Sequence, residues 1–403
     1  MKAVVWHGIG DIRLDTVPDP VIQEPTDAVI RITRSAICGT DLHFVRGTMA
    51  PMADGTILGH EAVGVVEAAG DDVRGFTPGD RVVVCSTIGC GHCSYCRAGY
   101  YAQCDVANPN GPDAGTSFFG GPQSTGPVNG LQAEYARIPY AAATLVPIPE
   151  QVTDDQAILI SDIFPTGWFG ARLAEVGHGD TVAVFGAGPV GQFAIASAKR
   201  QGAGRVLVVE GIETRLALAL EQNAEVIDFN TEDPVEAIKH LTGGPGADRV
   251  IDAVGIDAQR PSSGPAAGQL AGQASQFDAE QRKAAPDAAP RGDQWVPGDA
   301  PSLAARWAVE AVAKAGSIGI IGVYSPEFDV YPIGQAMNKN LTLKMGNCNH
   351  RRYVPGLLDL VAAGLVDPAA FITQEEKPTS AIEAYETFDR REEGWIKTVL
   401  DVS

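Results

Sequence analysis

An apolar run that stops on a glycine-rich turn sets the strongest limit on how this chain folds. Thr181-Val-Ala-Val-Phe185 leads into Gly186-Ala-Gly188-Pro189-Val190-Gly191, and a helix-forming apolar stretch follows at once. A lone G-x-G-x-x-G string is weak. Ending a strand and opening a helix, it reads as the first crossover of a parallel sheet. Glycine allows the tight turn and a close backbone approach, and the N–H groups at the helix start attract an anion. The alternation continues: helix 189–201, strand 205–209, helix 214–222, short strand 226–229, strand 249–254, helix 302–314, strand 317–323. Strands and helices in turn imply a doubly wound parallel sheet with both faces covered.

The first 150 residues have a different texture. Short alternating runs such as Ala28-Val-Ile-Arg-Ile32 and Asp80-Arg-Val-Val-Val84, broken by turns such as Thr77-Pro-Gly-Asp80, predict a β-rich, barrel-like unit. The expected organisation is an α/β protein: a barrel domain over 1–160, a nucleotide-binding domain over 161–338, and a closing segment over 339–403. Strand 341–345 is expected to return the chain to the first domain. Residues 258–301 consist of Ala, Gly, Gln, Pro, Ser and Asp with almost no aliphatic periodicity. They read as a surface excursion unable to order itself, a loop insertion with a lid or subunit contact as the sharper alternative.

With 30 basic and 50 acidic residues the formal charge is −20, which argues against nucleic acid or an anionic membrane as partner. No apolar run is long enough to span a bilayer, and the start Met1-Lys-Ala-Val-Val-Trp6 reads as a strand, not a signal peptide. A soluble cytoplasmic protein is expected.

Four of the seven cysteines crowd together as Cys90, Cys93, Cys96 and Cys104, spaced C-x2-C-x2-C-x7-C. In a chain without a signal, such a cluster points to metal. Four thiolates close a tetrahedral shell, so zinc bound here would be structural; an iron–sulfur cluster is the competing reading. A second set is dispersed: Cys38 in Cys38-Gly-Thr40-Asp41-Leu-His43, and His60-Glu61 after Gly59. Thiolate plus imidazole is a zinc pair, and a third ligand with water would make an open, catalytic site. Each residue taken singly is more ordinary as core.

These segments together resemble the zinc-containing medium-chain alcohol dehydrogenases over nearly the whole chain apart from 258–301. Ser161-Asp162-Ile-Phe-Pro-Thr166-Gly167 is most similar to the glutathione-independent formaldehyde dehydrogenase branch. The resemblance implies a GroES-like catalytic domain beside the Rossmann domain, two zinc ions per chain, and NAD. It implies Cys38, His60 and Asp162 as catalytic zinc ligands, Asp162 standing where many members have cysteine; a helix N-cap is its plainer role. Glu61 would lie behind the metal, and Asp41 would orient His60. Thr40 would accept the substrate hydroxyl proton, passing it through the nicotinamide ribose to His43 and solvent. Around the cofactor it implies Thr166, Gly186, Gly188, Pro189, Val190, Gly191, Val254 and Arg352, the last a pyrophosphate clamp chosen over Arg351. Glu210, nineteen residues after Gly191, would accept the ribose hydroxyls of NAD and repel the extra phosphate of NADP, a choice Arg215 could soften. The expected reaction is hydride transfer from a small alcohol or aldehyde hydrate to NAD. Aldehyde dismutation with tightly held NAD, and a zinc-stapled nucleotide binder without catalysis, are the rivals. Trp168, Phe118 and Phe119 are candidates for the walls of the substrate pocket, and equally for core. Members of this family pair through the nucleotide domain, so a homotetramer is expected, with a homodimer as alternative.

Overall fold

In the computed structural model, residues 1–49 and 52–403 are described, and they form two compact units. The first comprises Met1–Pro165, Asp287–Val296 and Asn347–Ser403; the second comprises Thr166–Pro286 and Pro297–Gly346.

The first unit is built on the long strand Ala28–Ile37. Along one edge it pairs antiparallel with Ala62–Ala69, and along the other with Tyr135–Ile138 near its start and Thr398–Asp401 near its end. Ala62–Ala69 continues to Arg81–Val84 and Leu145–Pro147, completing a seven-stranded sheet with the edge strand Gln374–Glu376. Register shifts at Val29/Ile30 and Ile32/Arg34 bend the central strand and raise its twist, as bulges do. A smaller sheet orders Asp11–Thr16, Lys2–Gly8 and Thr56–Ile57. Ile30, Ile32, Val82, Val84, Ile138 and Leu145 are fully buried, but so is Val83, and eight of the ten residues of Ala28–Ile37 are buried, so these runs are covered on both faces instead of alternating as the sequence predicts.

The second unit carries six parallel strands in the order Glu225–Asp228, Arg205–Glu210, Thr181–Phe185, Ala247–Asp252, Val312–Ile320, Thr342–Met345. In chain order that is 3-2-1-4-5-6, the doubly wound arrangement, whose order reverses beside Thr181–Phe185. Val182, Val184, Leu207, Val208, Val250 and Ile251 are buried to the last atom, because helices cover both faces.

Two segments depart from the sequence-based expectation. Thr342–Met345 does not return the chain to the first unit: it pairs in parallel with Val312–Ile320 as the edge of the nucleotide sheet, and the chain returns after Gly346. Nor is 258–301 an unordered excursion, since it holds helices Gly264–Leu270 and Ala274–Ala284. Its few large side chains do the burying. Phe277 is fully buried in the second unit's core, with the Arg306 guanidinium 5.6 Å over its ring, and Glu280 accepts from the Ser302 N–H. Residues 287–296 belong to the first unit, where Trp295 is 2% exposed and donates its backbone N–H to Asp389 at 2.5 Å. Asp389 also accepts from the buried Arg46 Nε at 2.7 Å.

Asp389→Ala would leave a guanidinium buried without its carboxylate, a loss of about 3–5 kcal/mol. Urea unfolding should show the midpoint fall accordingly; a change under about 1 kcal/mol, the size of a solvated pair, would mean that Arg46 is not held this way.

Candidate metal centres and nucleotide turn

The helix Gly39–Arg46 starts directly after Cys38, whose N–H donates to the Asp41 side chain at 3.0 Å. This contact fixes both the helix start and the direction of the thiol. Gly59 sits at φ +91°, and a Cβ there would lie 2.5 Å from the Gln132 side chain, so the chain turns tightly and delivers His60 inward. Asp162 falls between the helices Asp154–Ser161 and Ile163–Leu173.

These three elements converge. Asp162 Oδ2 lies 3.7 Å from Cys38 Sγ and 3.6 Å from His60 Nε2. Donors on a tetrahedral zinc, with arms of about 2.0–2.3 Å, lie roughly 3.3–3.8 Å apart. Spacing and donor chemistry therefore both fit zinc. Ligand atoms of Cys38, His60, Glu61 and Asp162 all fall within 4.8 Å of one another, and all four residues are buried.

Each of the group has a neighbour that holds it. His60 Nδ1 is 3.1 Å from Asp41 Oδ1, while its Nε2 faces Asp162. Asp41 is held in turn by Gln132 Nε2 at 3.3 Å, and Gln132 accepts from the Tyr385 hydroxyl at 2.7 Å. Glu61 does not face solvent: both its oxygens accept from Lys397 Nζ, at 2.7 and 2.8 Å, with neither side chain exposed. Burial pushes the Glu61 carboxyl up, and the Lys397 ammonium opposes that rise. The second oxygen of Asp162 accepts from His350 Nε2 at 2.7 Å. Burial alone would raise its carboxyl, but His350 and His60 outweigh that and hold it well below the usual range.

Gln132, Tyr385, His350 and Lys397 were not singled out in the sequence, and no local motif marks them. Of the aromatic candidates, Phe118 lies edge-on to His60 with centroids 6.2 Å apart, Phe119 is fully buried core, and Trp168 belongs to the other unit. Thr40 occupies the first turn of its helix. His43, expected to open on solvent, is instead only 4% exposed, with Nδ1 2.6 Å from the Thr48 hydroxyl. A proton reaching His43 would thus meet Thr48 next.

The four-cysteine lobe has the spacing of a closed shell. Cys93 and Cys104 sulfurs are 3.8 Å apart, far beyond the ~2.05 Å of a disulfide and equal to an edge of a zinc tetrathiolate. Backbone N–H groups surround the sulfurs: Cys104 receives those of Cys90, Val106 and Ala107, Cys90 that of Cys93, and Cys93 that of Cys96. Burial pushes the Cys93 thiol up, yet the N–H donors bring it down to about 7, within reach of thiolate at neutral pH.

In the second unit the glycine turn is as tight as the motif requires. A Cβ on Gly191 would stand 2.0 Å from the Gly186 carbonyl oxygen. Pro189 and Val190 open the helix Pro189–Arg200, with Gly188 at its N-cap. Glu210, at the end of its strand, accepts from the Ala187 N–H at 2.9 Å and the Gly211 N–H at 2.8 Å. Arg215 Nη1 lies 3.6 Å from the same carboxylate. Val254 packs its Cγ2 against Gly186, and Thr166 begins the unit's first segment. Arg352 belongs to the other unit, beside Gly99 and over the Tyr353 ring.

Known proteins agree with this architecture. Residues 24–150 match the alcohol dehydrogenase GroES-like domain, and residues 189–263 match the zinc-binding dehydrogenase family. An uncharacterised zinc-type alcohol dehydrogenase-like protein of Bacillus subtilis is 35% identical, covering 99% of this chain and 100% of its own. The chain belongs to the zinc-containing medium-chain alcohol dehydrogenase family. Its fold is that of an alcohol dehydrogenase from Thermus sp. ATN1, at a TM-score of 0.79 and 30% identity, over 100% of this chain and 99% of the other. A glutathione-independent formaldehyde dehydrogenase of Pseudomonas aeruginosa is 38% identical over 64% of this chain and 66% of its own. The GroES-like unit and the Rossmann-like unit are the two units described above.

Gly191→Ala should force the turn open at a cost of about 1–3 kcal/mol in the nucleotide-bound state. Titration with NADH should show Kd rise roughly tenfold or more; unchanged affinity would remove this turn from the binding site.

Proposed function

We propose that this dehydrogenase oxidises small alcohols or aldehyde hydrates, formaldehyde hydrate among them, by hydride transfer to NAD, with one catalytic and one structural zinc per chain. The observation that carries the reading is the convergence of Cys38 Sγ, His60 Nε2 and Asp162 Oδ2, separate from a closed set of four cysteines. Three protein ligands suit a catalytic zinc with an open position, and four thiolates suit a closed structural one. When bound, the catalytic ion supplies Lewis acidity, drawing the pKa of a coordinated hydroxyl toward neutrality.

The remaining work falls to side chains. Cys38, His60 and Asp162 hold the ion. Glu61 places a carboxylate behind it, neutralised by Lys397. Thr40 would accept the proton of the substrate hydroxyl, and His43, whose Nδ1 lies 2.6 Å from the Thr48 hydroxyl, would take it onward. Phe118, set against His60, supplies an apolar wall for a short carbon chain. The glycine turn and the start of Pro189–Arg200 take the pyrophosphate, with Thr166 and Val254 beside the cofactor. Glu210 favours NAD, because its carboxylate would repel a 2′-phosphate.

A homo-oligomer, dimer or tetramer, is supported by exposed apolar side chains of the nucleotide unit, Met345 (60%) on its edge strand and Ile333 (64%) and Met337 (83%) on the preceding helix Ile333–Asn338. A reducing, cytoplasmic setting is supported by seven cysteines without a disulfide.

Asp162→Ala should abolish turnover, lower the zinc content from two ions to one, and leave NAD affinity within about twofold. Wild-type rates in that variant would take Asp162 out of the site. Cys96→Ala should lose the other ion and precipitate or unfold. A steady-state survey of short alcohols and aldehydes with NAD and NADP tests the substrate class. Formaldehyde consumed without net NADH would replace oxidation by dismutation.

A further inference from the structure

A carboxylate that replaces a thiolate on a metal brings a second oxygen, and something must decide where that oxygen goes. If both oxygens turn toward the ion, the carboxylate becomes bidentate and takes up the open position that a substrate needs. If the group rotates freely, the ion loses a defined ligand. In this chain Asp162 Oδ2 faces Cys38 and His60, while Oδ1 is held by His350 Nε2 at 2.7 Å.

His350 is itself fixed from two sides. Its Nδ1 is 3.1 Å from Thr87 Oγ1, in the segment just before the four-cysteine lobe. It is the first residue of the helix His350–Ala362, and the preceding Asn349 accepts from the Ala102 N–H at 2.9 Å, inside that lobe. The ring is only 2% exposed, so it has no room for another rotamer in solvent. An ionised carboxylate can only accept, so Nε2 must carry a proton and donate it.

Resting on the reading that Asp162 is a zinc ligand, we propose that His350 is a positioning residue that locks Asp162 in one-oxygen coordination and keeps the substrate position of the catalytic zinc open. Through Asn349 the four-cysteine lobe, and through Thr87 the segment that leads into it, become the support on which that lock stands. A ligand's outer partner of this kind is worth about 10–100-fold in metal affinity.

The test uses the full-length enzyme and reads the metal rather than the rate. Zinc affinity at the catalytic site is measured by competition with a chromophoric chelator, and its geometry by the visible d–d bands after cobalt is exchanged into that site. His350→Ala should weaken zinc there about 10–100-fold and shift the cobalt bands, with the structural ion retained. His350→Gln, which can donate an amide N–H to Oδ1, should restore affinity to within about threefold and the wild-type bands. Thr87→Val keeps the ring but removes its partner, so it should give a smaller loss in the same direction, and it decides the matter if the alanine variant fails to fold.

Wild-type zinc affinity and unchanged bands in His350→Ala would overturn the proposal, and so would equal losses in the alanine and glutamine variants. If Asp162→Ala itself retains two zinc ions, the underlying assignment of Asp162 fails instead, so the two failures are told apart.

Discussion

The architecture of the first unit depends on keeping a cluster of acidic groups out of water. Asp41, Glu61 and Asp162 are buried beside the Cys38 thiol, and burying charge is costly unless each charge is paired. Lys397 answers Glu61, and two imidazoles, His60 and His350, stand against Asp41 and Asp162. Three carboxylates and a thiol against one ammonium still leave a negative interior, which a divalent cation at the centre would balance. The same imbalance explains the length of the supporting network. Asp41 reaches Gln132 and Tyr385, and Asp162 reaches His350 and Thr87, because every buried acceptor needs a donor.

What the sequence discloses of this site follows from distance along the chain. Cys38, Thr40, Asp41 and His43 lie on one helix start, His60 and Glu61 on one turn, and the four cysteines within one loop. Local geometry alone sets their spacing, so a reader of the sequence can find them. His350 meets Asp162 across 188 residues and Lys397 meets Glu61 across 336, and those meetings are decided by sheet pairing rather than spacing. Lys397 stands just before Thr398–Asp401, whose pairing with Ala28–Ile37 places it beside Glu61. Neither residue carries a motif of its own.

The segment 258–301 misleads for a different reason. Averaged over some forty residues, its composition is too polar to order itself, and averaging is the wrong operation. Ordering needs a few large side chains seated in cores that other segments have already built. Phe277 enters one such core and Trp295 another, so the segment borrows apolar surface instead of supplying it. Trp295 adopts φ +58°, a strained conformation for an aromatic residue, and its N–H bond to Asp389 and its burial offset that strain.

On the nucleotide side, the structure sharpens the role of Glu210. An acidic residue at the end of the second strand is legible in the sequence as a ribose acceptor, but its bonds to the N–H groups of Ala187 and Gly211 make it part of the turn as well. Ala187 sits between two glycines of the motif, so the carboxylate braces the loop that must take the pyrophosphate. Glu210 also lies beside Arg215. Its guanidinium lies 3.6 Å from Glu210, and under the proposed function that pairing would weaken its pull on a 2′-phosphate. Under the proposed function, a carboxylate that both stiffens the turn and pairs with the nearby arginine would select against the phosphorylated cofactor twice, once by its own charge and once by the charge it cancels.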